Sequence, residues 1–419
     1  MIPELRIPFN EGYTPASYAA LLEKVHQRCG APIEFRIAET PVFLCLELLE
    51  AMARAGGELT ADLLGDASYL AAARRVIPKG YCVAGVSPHP NFLTADFALI
   101  LTPQGELAPR LVEIQGFPSV YGYQAELCNA YREVFGLKTG LRSFLSGLDE
   151  EGYWRLLGET VLAGHDPERV VLTELDPRNQ KTWPDFAVTA RRLGIAVVDI
   201  RELEPVGDKL HYRDRNGRLV PIDRIYNRAI ADELESRHIR LQWDLTRPWQ
   251  VEWAGHPNWY FLVSKYSLPW LRRPVVPPAV LVSDFLEGKG RQWLAGAGVE
   301  LPAGTRPDTV YANLLLKPLY SFAGKGIRFD PTRRELEAIP AGRRGEFLVQ
   351  QRMEFVPTVE TPHGLTQAEV RILYLWPEGR ELTPALSLVR LGRGRMMGVD
   401  HNRNQQWVGA SAGFYPAGA

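Results

Sequence analysis

The sequence has four cysteines in 419 residues and no Cys-x-x-Cys pair, which excludes a disulfide scaffold and a thiolate metal knuckle. Cys29, Cys45, Cys82 and Cys128 are widely spaced and read as buried free thiols in a reducing cytoplasm. No apolar run approaches the roughly 18–20 residues that cross a bilayer. The opening Met1-Ile2-Pro3-Glu4-Leu5-Arg6 has no basic stretch followed by an apolar one, so no signal peptide is expected. Net charge is also lacking: 48 Lys and Arg against 49 Asp and Glu leave −1. A dedicated nucleic-acid binder presents a basic face, and this balance argues against one while allowing a local basic groove. The eight histidines are scattered, with no His-Glu-x-x-His pair. There is no Gly-x-Ser-x-Gly elbow, and no Gly-x-Gly-x-x-Gly follows the apolar run at 169–175, which argues against a nicotinamide site there.

What is present is ordinary for a globular chain, 46% hydrophobic and 23% charged, long enough for two to four domains. The 37 glycines and 32 prolines punctuate short elements rather than forming a linker. In the first region, to about residue 150, a helix over 44–55 is expected to end at Gly56-Gly57. Strands at 97–102 and 111–114 flank Pro103-Gln104-Gly105, and a helix follows over 123–135. The second region, 151–245, reads strand (169–175), helix, strand (195–199), a parallel βαβ unit. Its helix should open on a capping box at Thr182-Trp183-Pro184-Asp185 and stop at Gly194. A hairpin is expected around Asn216-Gly217. From about 246 onward, short strands alternate with loops: 313–316, 327–329, 346–349, 370–376 and 385–391.

Four constellations carry possible chemistry. Lys317 closes a strand, and a small-residue loop, Ser321-Phe322-Ala323-Gly324-Lys325-Gly326, leads into the next. Glycines let backbone N–H groups approach phosphate oxygens and lysine adds a point charge, although a glycine turn in a hairpin reads the same way. Asp96 lies on one strand, while Glu113 and Gln115 share a face of its neighbour: hard oxygen donors for Mg2+, or a solvated strand end. The apolar strand at 347–349 runs into Gln350-Gln351-Arg352-Met353, an edge that reads a base through backbone groups or an ordinary strand end. Glu369, Arg371, Arg390, Arg393, Arg395, Asn402 and Asn404 form a polar series in which arginine forks match carboxylate or phosphate, or else a charged, solvent-facing strand.

Together these motifs resemble the ATP-grasp superfamily of carboxylate–amine ligases. Lys317-Pro318 with the loop 321–326 is similar to that family's phosphate lysine and mobile glycine-rich loop. The stretch 347–353 is similar to its adenine hinge, with Gln350 placed to meet the adenine amino group. Lys265, in Ser264-Lys265-Tyr266-Ser267-Leu268-Pro269, takes the place of the earlier phosphate lysine. Gln367-Ala368-Glu369-Val370-Arg371 resembles the substrate-arginine strand, and Arg390 with the Asn402/Asn404 loop resembles the acyl-phosphate contacts. The family's usual order puts its metal-binding strand pair last. Here that pair resembles Asp96 and Leu111-Val112-Glu113-Ile114-Gln115, near the start, as in the circularly permuted, glutathionylspermidine-synthetase-like group. Gln115 stands where the family has asparagine.

The resemblance implies an α+β fold of two permuted ATP-grasp lobes with a small parallel α/β domain inserted. Residues 1–150 would carry metal ligands, 151–245 the substrate domain, 246–345 the lysines and glycine loop, and 346–419 the strands that pack with 1–150. It implies a cytoplasmic ligase using ATP and Mg2+ on small-molecule or peptide carboxylates and amines. Gln350 and the backbone of Gln351, Arg352 and Met353 would hold adenine. Lys265, Lys317, Ser321, Gly324, Lys325 and Gly326 would hold phosphate. Asp96, Glu113 and Gln115 would hold metal, and Arg371 and Arg390 would stabilise an acyl phosphate. Nucleic-acid and membrane partners are not expected. The alternatives are a nucleotide-binding protein without ligase activity, another phosphoryl-transfer enzyme (with His401 the nearest acceptor histidine), and a plain α/β binding module. Arg228 reads equally as a carboxylate binder or a structural ion pair.

Overall fold

The computed structural model describes residues 1–302, 306–320, 326–397 and 404–417, with Asp232 described by its backbone only. The largest sheet has eight strands. Its main path runs Val42–Phe43, Gly409–Pro416, Thr383–Gly392, Thr366–Leu375, Phe92–Leu101, Leu107–Gln115. Pro357–Val359 pairs with Thr366–Leu375, and Leu141–Arg142 with Gly409–Pro416. Strands from the first third of the chain therefore interleave with strands from its last seventy residues.

The expected hairpin forms between Phe92–Leu101 and Leu107–Gln115, closed by a turn with Gly105 at φ 82°. Its strands are longer than the apolar runs because the sheet is covered on both sides, which buries eight successive residues from Phe92 to Leu99. Leu93, Ala95, Phe97 and Leu99 pack in the core that includes helix Leu46–Gly65, while Phe92 and Leu373 face the core of helix Tyr121–Val134. The Tyr121 hydroxyl donates toward the carbonyls of Leu93 and Tyr374, 2.9 Å from each, and ties that helix to the sheet.

The helix expected over 44–55 does not stop at Gly56-Gly57; it runs Leu46–Gly65. A β-carbon on Gly56 would lie 2.1 Å from the Tyr374 hydroxyl, so this glycine is there for close packing rather than as a stop.

The βαβ unit is present within a four-stranded, all-parallel sheet, ordered Glu252–Ala254, Arg224–Asn227, Val170–Glu174, Ala196–Asp199. The last strand in sequence lies beyond residue 245. Helix Trp183–Leu193 ends at Gly194, φ 73°, as expected, but Thr182 makes no side-chain cap. Asp185 is drawn elsewhere: it accepts from the Tyr123 amide at 3.0 Å. The Asn216-Gly217 hairpin joins Lys209–Arg213 to Leu219–Pro221. A further antiparallel sheet is ordered Ala279–Leu281, Phe347–Gln351, Leu314–Pro318, Arg328–Phe329. Helices Pro3–Gly12, Pro15–Cys29, Ala67–Arg75 and Glu150–Leu162 went unread in the sequence. All four thiols are free, but only Cys29 and Cys128 are buried; Cys82 is exposed, contrary to expectation. Among the described residues no helix is long and apolar enough to cross a membrane.

Candidate functional site

Strand register brings the charged residues into one cluster. Asp96 lies opposite Glu113 on one side and Arg371 on the other, and Glu369 lies opposite Arg390. Period two puts Glu369 and Arg371 on one face, the face that helix Tyr121–Val134 covers further along. Asp96 is almost wholly buried, at 1% exposure. Arg371 grips it with two parallel bonds, Nε to Oδ1 at 2.5 Å and Nη2 to Oδ2 at 2.6 Å, and Arg390 Nη1 adds a third to Oδ2 at 3.1 Å. Burial pushes the Asp96 carboxyl up, but the two arginines outweigh it and hold the group below the usual carboxylate range. Glu369, paired with Arg390, is pushed up by burial and by Asp96 and Glu113, against the pull of the arginines.

The segment that follows the parallel sheet's last strand, Glu252–Ala254, brings Lys265 to this cluster. Gly116 donates its amide to the Val263 carbonyl at 2.8 Å, and Leu111 donates to Val275. A β-carbon at Gly116 would lie 2.9 Å from the Trp259 carbonyl, so glycine is required for this approach. The contact covers the edge of strand Leu107–Gln115. Lys265 starts a short 3-10 stretch, Lys265–Trp270, capped by the Ser264 hydroxyl, and its ammonium lies 3.5 Å from Glu113 Oε2. Gln115 Nε2 donates to Glu113 Oε1 at 3.0 Å, and Arg371 Nη2 is 3.8 Å from the same oxygen.

Lys317 arrives from strand Leu314–Pro318 and is 4% exposed. Its ammonium donates to Gln350 Oε1 at 2.6 Å across the sheet. Burial lowers Lys317 to about 8; Glu113 and Glu369 oppose that shift and Lys265 adds to it. Lys317 thus feels both carboxylates and the other lysine. Gln350 is fully buried, and its Nε2 has no partner among the described residues. A buried amide donor left this way calls for an acceptor, such as a ring nitrogen of a base. The gap bounded by Gln115, Phe117, Tyr260, Lys265 and Tyr320 holds only about 10 Å³, room for at most one water. These side chains therefore pack closely against one another.

Ser321, Gly324 and Lys325, with His401 and Asn402, lie outside the described residues. Gly326 takes φ 81° against Pro318, a conformation that favours glycine. The side chain of Arg352 is bound to Asp330 at 2.9 and 3.0 Å, leaving only its backbone beside Gln351 and Met353 for a ligand.

The oxygen donors match the metal expectation only in part. Both Asp96 oxygens accept from arginine, so Asp96 anchors Arg371 and Arg390 here, while Glu113 and Gln115 carry no arginine bond this short. Glu113 and Gln115 remain, their polar ends 3.0 Å apart. That is close to the spacing of about 2.9 Å between adjacent donors of an octahedral ion with bonds near 2.0–2.1 Å. With its amide turned to present oxygen, Gln115 would join Glu113 as an oxygen donor to a Mg2+. Among the described residues, no three His, Cys, Asp or Glu side chains gather as a metal cage.

A second set of buried polar groups, absent from the sequence reading apart from Arg228, lies at the carboxyl end of the parallel sheet. The strand order reverses between Val170–Glu174 and Arg224–Asn227, and such switch points open a crevice beyond the strand ends. Glu174 ends one strand, and Arg228 follows the other. Burial raises Glu174 to about 8, against the pull of Arg228. Arg228 is 3.6 Å from Asp185 and donates to the Ser119 carbonyl, while the Ser119 hydroxyl accepts from Arg371 Nη1 at 2.9 Å. Ser119 thus touches the arginines of both regions. A larger cavity, about 240 Å³, lies beside the edge strand Glu252–Ala254, lined by Arg224, Trp253 and His256. Arg224 is saturated there by Glu252 and Glu378. Burial lowers His256 to about 4, which leaves it neutral.

No family model and no curated protein matches the chain. Among solved structures it is similar to a glutathione synthetase-like effector from Globodera pallida in its apo form. The two share 10% identity over 96% of this chain and 99% of that one, with a TM-score of 0.55. A gamma-glutamylcysteine synthetase structure from Methylobacillus flagellatus also matches, at 13% identity over 81% and 83% of the two chains; its TM-score of 0.38 is too low to bear on the fold. At these identities, the comparison establishes a mixed α/β fold shared with a synthetase-like protein over nearly the whole chain.

Proposed function

We propose that the chain is an ATP- and Mg2+-dependent carboxylate–amine ligase built on a circularly permuted ATP-grasp fold. The observation that supports this best is the buried meeting of Lys265 and Lys317 with Glu113, Glu369, Arg371 and Arg390, drawn from both ends of the chain. ATP would lie between the large sheet and the sheet that carries Lys317, once the two part. Gln350 and the backbone of Gln351 to Met353 would hold the base, and Lys265 and Lys317 would neutralise phosphate. Glu113 and Gln115 would hold Mg2+, which would supply positive charge to offset the phosphates. The loop containing Ser321, Gly324, Lys325 and Gly326 would cover them. A substrate carboxylate oxygen attacks the γ-phosphorus as the bond to the ADP oxygen breaks, giving an acyl phosphate. An amine then attacks the acyl carbon, phosphate leaves, and the amine proton is lost. Arg371, locked by Asp96, and Arg390 would stabilise charge on the acyl phosphate. Water is excluded by lobe closure, which protects that intermediate. The switch-point crevice with Glu174 and Arg228 would hold a substrate, with the guanidinium matched to a carboxylate.

The test is ADP formation from ATP and Mg2+ by the purified chain, offered pooled amino acids and short peptides, with products read by mass spectrometry. ADP that appears with a new amide supports the ligase. Nucleotide binding without turnover selects the non-catalytic alternative. A phosphorylated product without amide selects another phosphoryl transfer.

A further inference from the structure

The geometry points to Lys265 as a built-in stand-in for the metal, holding the Glu113 carboxylate so that a divalent cation does not bind alone and enters only with a polyphosphate. The inference rests on the nucleotide reading above and concerns how that site is kept before it is loaded. Asp96 and Glu369 are already committed to Arg371 and Arg390. Glu113 lies among cations: Lys265 at 3.5 Å and Arg371 at 3.8 Å, with the charge of Lys317 also felt there. Its side chain is only 18% exposed and that of Lys265 only 8%, so neither charge is neutralised by water alone. Gln115 completes the arrangement. It turns its amide donor toward Glu113, the orientation a carboxylate without a metal requires.

A lone divalent cation approaching Glu113 therefore meets two cations, Lys265 and Arg371, already beside that carboxylate. A polyphosphate reverses the balance, because its several negative charges attract Lys265 and Lys317 and release Glu113. Lys265 is suited to the exchange. Its backbone is fixed by the Ser264 cap, while four methylene groups let the ammonium move.

The experiment titrates the whole chain with Mn2+ alone, read by the electron paramagnetic resonance signal of free Mn2+, and repeats the titration with a non-hydrolysable ATP analogue. The wild-type chain alone is expected to bind Mn2+ no tighter than about 1 mM, and with the analogue at least about tenfold tighter. Lys265→Met should raise affinity for Mn2+ alone by at least about tenfold, whereas Lys265→Arg, which keeps the charge, should not. Tight Mn2+ binding by the wild type alone, or equal affinity with and without the analogue, overturns the stand-in role. So does a folded Lys265→Met with unchanged Mn2+ affinity. Absence of analogue binding in calorimetry, with or without Mn2+, overturns the nucleotide reading instead. If Lys265→Met does not fold, the two wild-type titrations decide.

Discussion

Replacing Asp96 with asparagine tests the core of the cluster. Asp96 holds Arg371 through two bonds of 2.5 and 2.6 Å and Arg390 through a third, and it is 1% exposed. Asparagine keeps the shape but removes the charge, leaving Arg371 buried with the more distant Glu113 and neutral partners. Breaking one side of a buried pair costs about 3–5 kcal/mol, and asparagine, which still accepts one bond, should sit near the lower end. Urea unfolding at pH 7.5 should show a lower midpoint with an unchanged slope. Arg371→Met alone should also destabilise the protein, but the double variant should be about 2 kcal/mol more stable than the sum of the two predicts, because it leaves no orphaned charge. The pH dependence has a definite sign. The arginines hold the folded carboxyl below its unfolded value, so its stabilisation is complete above that value, near 3.9, and is lost as pH falls through the folded pKa. The cost of Asp96→Asn should then be flat from about pH 6 to 8 and shrink only in strong acid. A cost under about 0.5 kcal/mol, or an additive cycle, would refute the view of Asp96 as the arginine anchor.

Two further predictions concern groups whose charge burial opposes. Lys317 is lowered to about 8 from 10.5 by burial, so the unfolded chain holds a proton that the native state gives up. Stability of the unliganded protein should rise between those two pH values, while affinity for an ATP analogue, which needs the ammonium, should fall above about pH 8. Lys317→Met should abolish both trends and weaken binding by at least about tenfold at pH 7 in calorimetry; a variant that binds like the wild type contradicts the phosphate role. Glu174, raised from 4.5 to about 8, stabilises the fold while protonated, and that contribution is lost as pH climbs through this window. Glu174→Gln should melt like the wild type near pH 5 and above it at pH 9; parallel melting curves for the two proteins across that range would show that Glu174 is ionised in the fold.

The sequence was legible where structure is local. The hairpin around Gly105, the βαβ unit, the stop at Gly194 and the Asn216-Gly217 turn all depend on backbone preferences and apolar period within a dozen residues, and all are present. It also supplied the chemical inventory: Glu113, Lys317, Arg371 and Arg390 were named from residue type and motif and Lys265 from the family resemblance, and the fold gathers them. Misreadings came where a residue answers to a distant neighbour. Gly56 reads as a helix stop until Tyr374, more than three hundred positions away, fills the space above it. Thr182-Trp183-Pro184-Asp185 reads as a capping box until the Tyr123 amide claims Asp185.

Asp96 marks the division between what each level decides. The sequence by itself determined that a carboxylate would end up on an apolar strand. Only the pairing of that strand with one that carries Arg371, 275 residues later, made it the anchor of that arginine. The switch-point crevice at Glu174 and Arg228 follows the same logic, since strand order exists only in the assembled sheet. Propensity and period act along the chain, whereas the partner of a buried charge is set by which strands become neighbours, and that depends on the burial of the whole core.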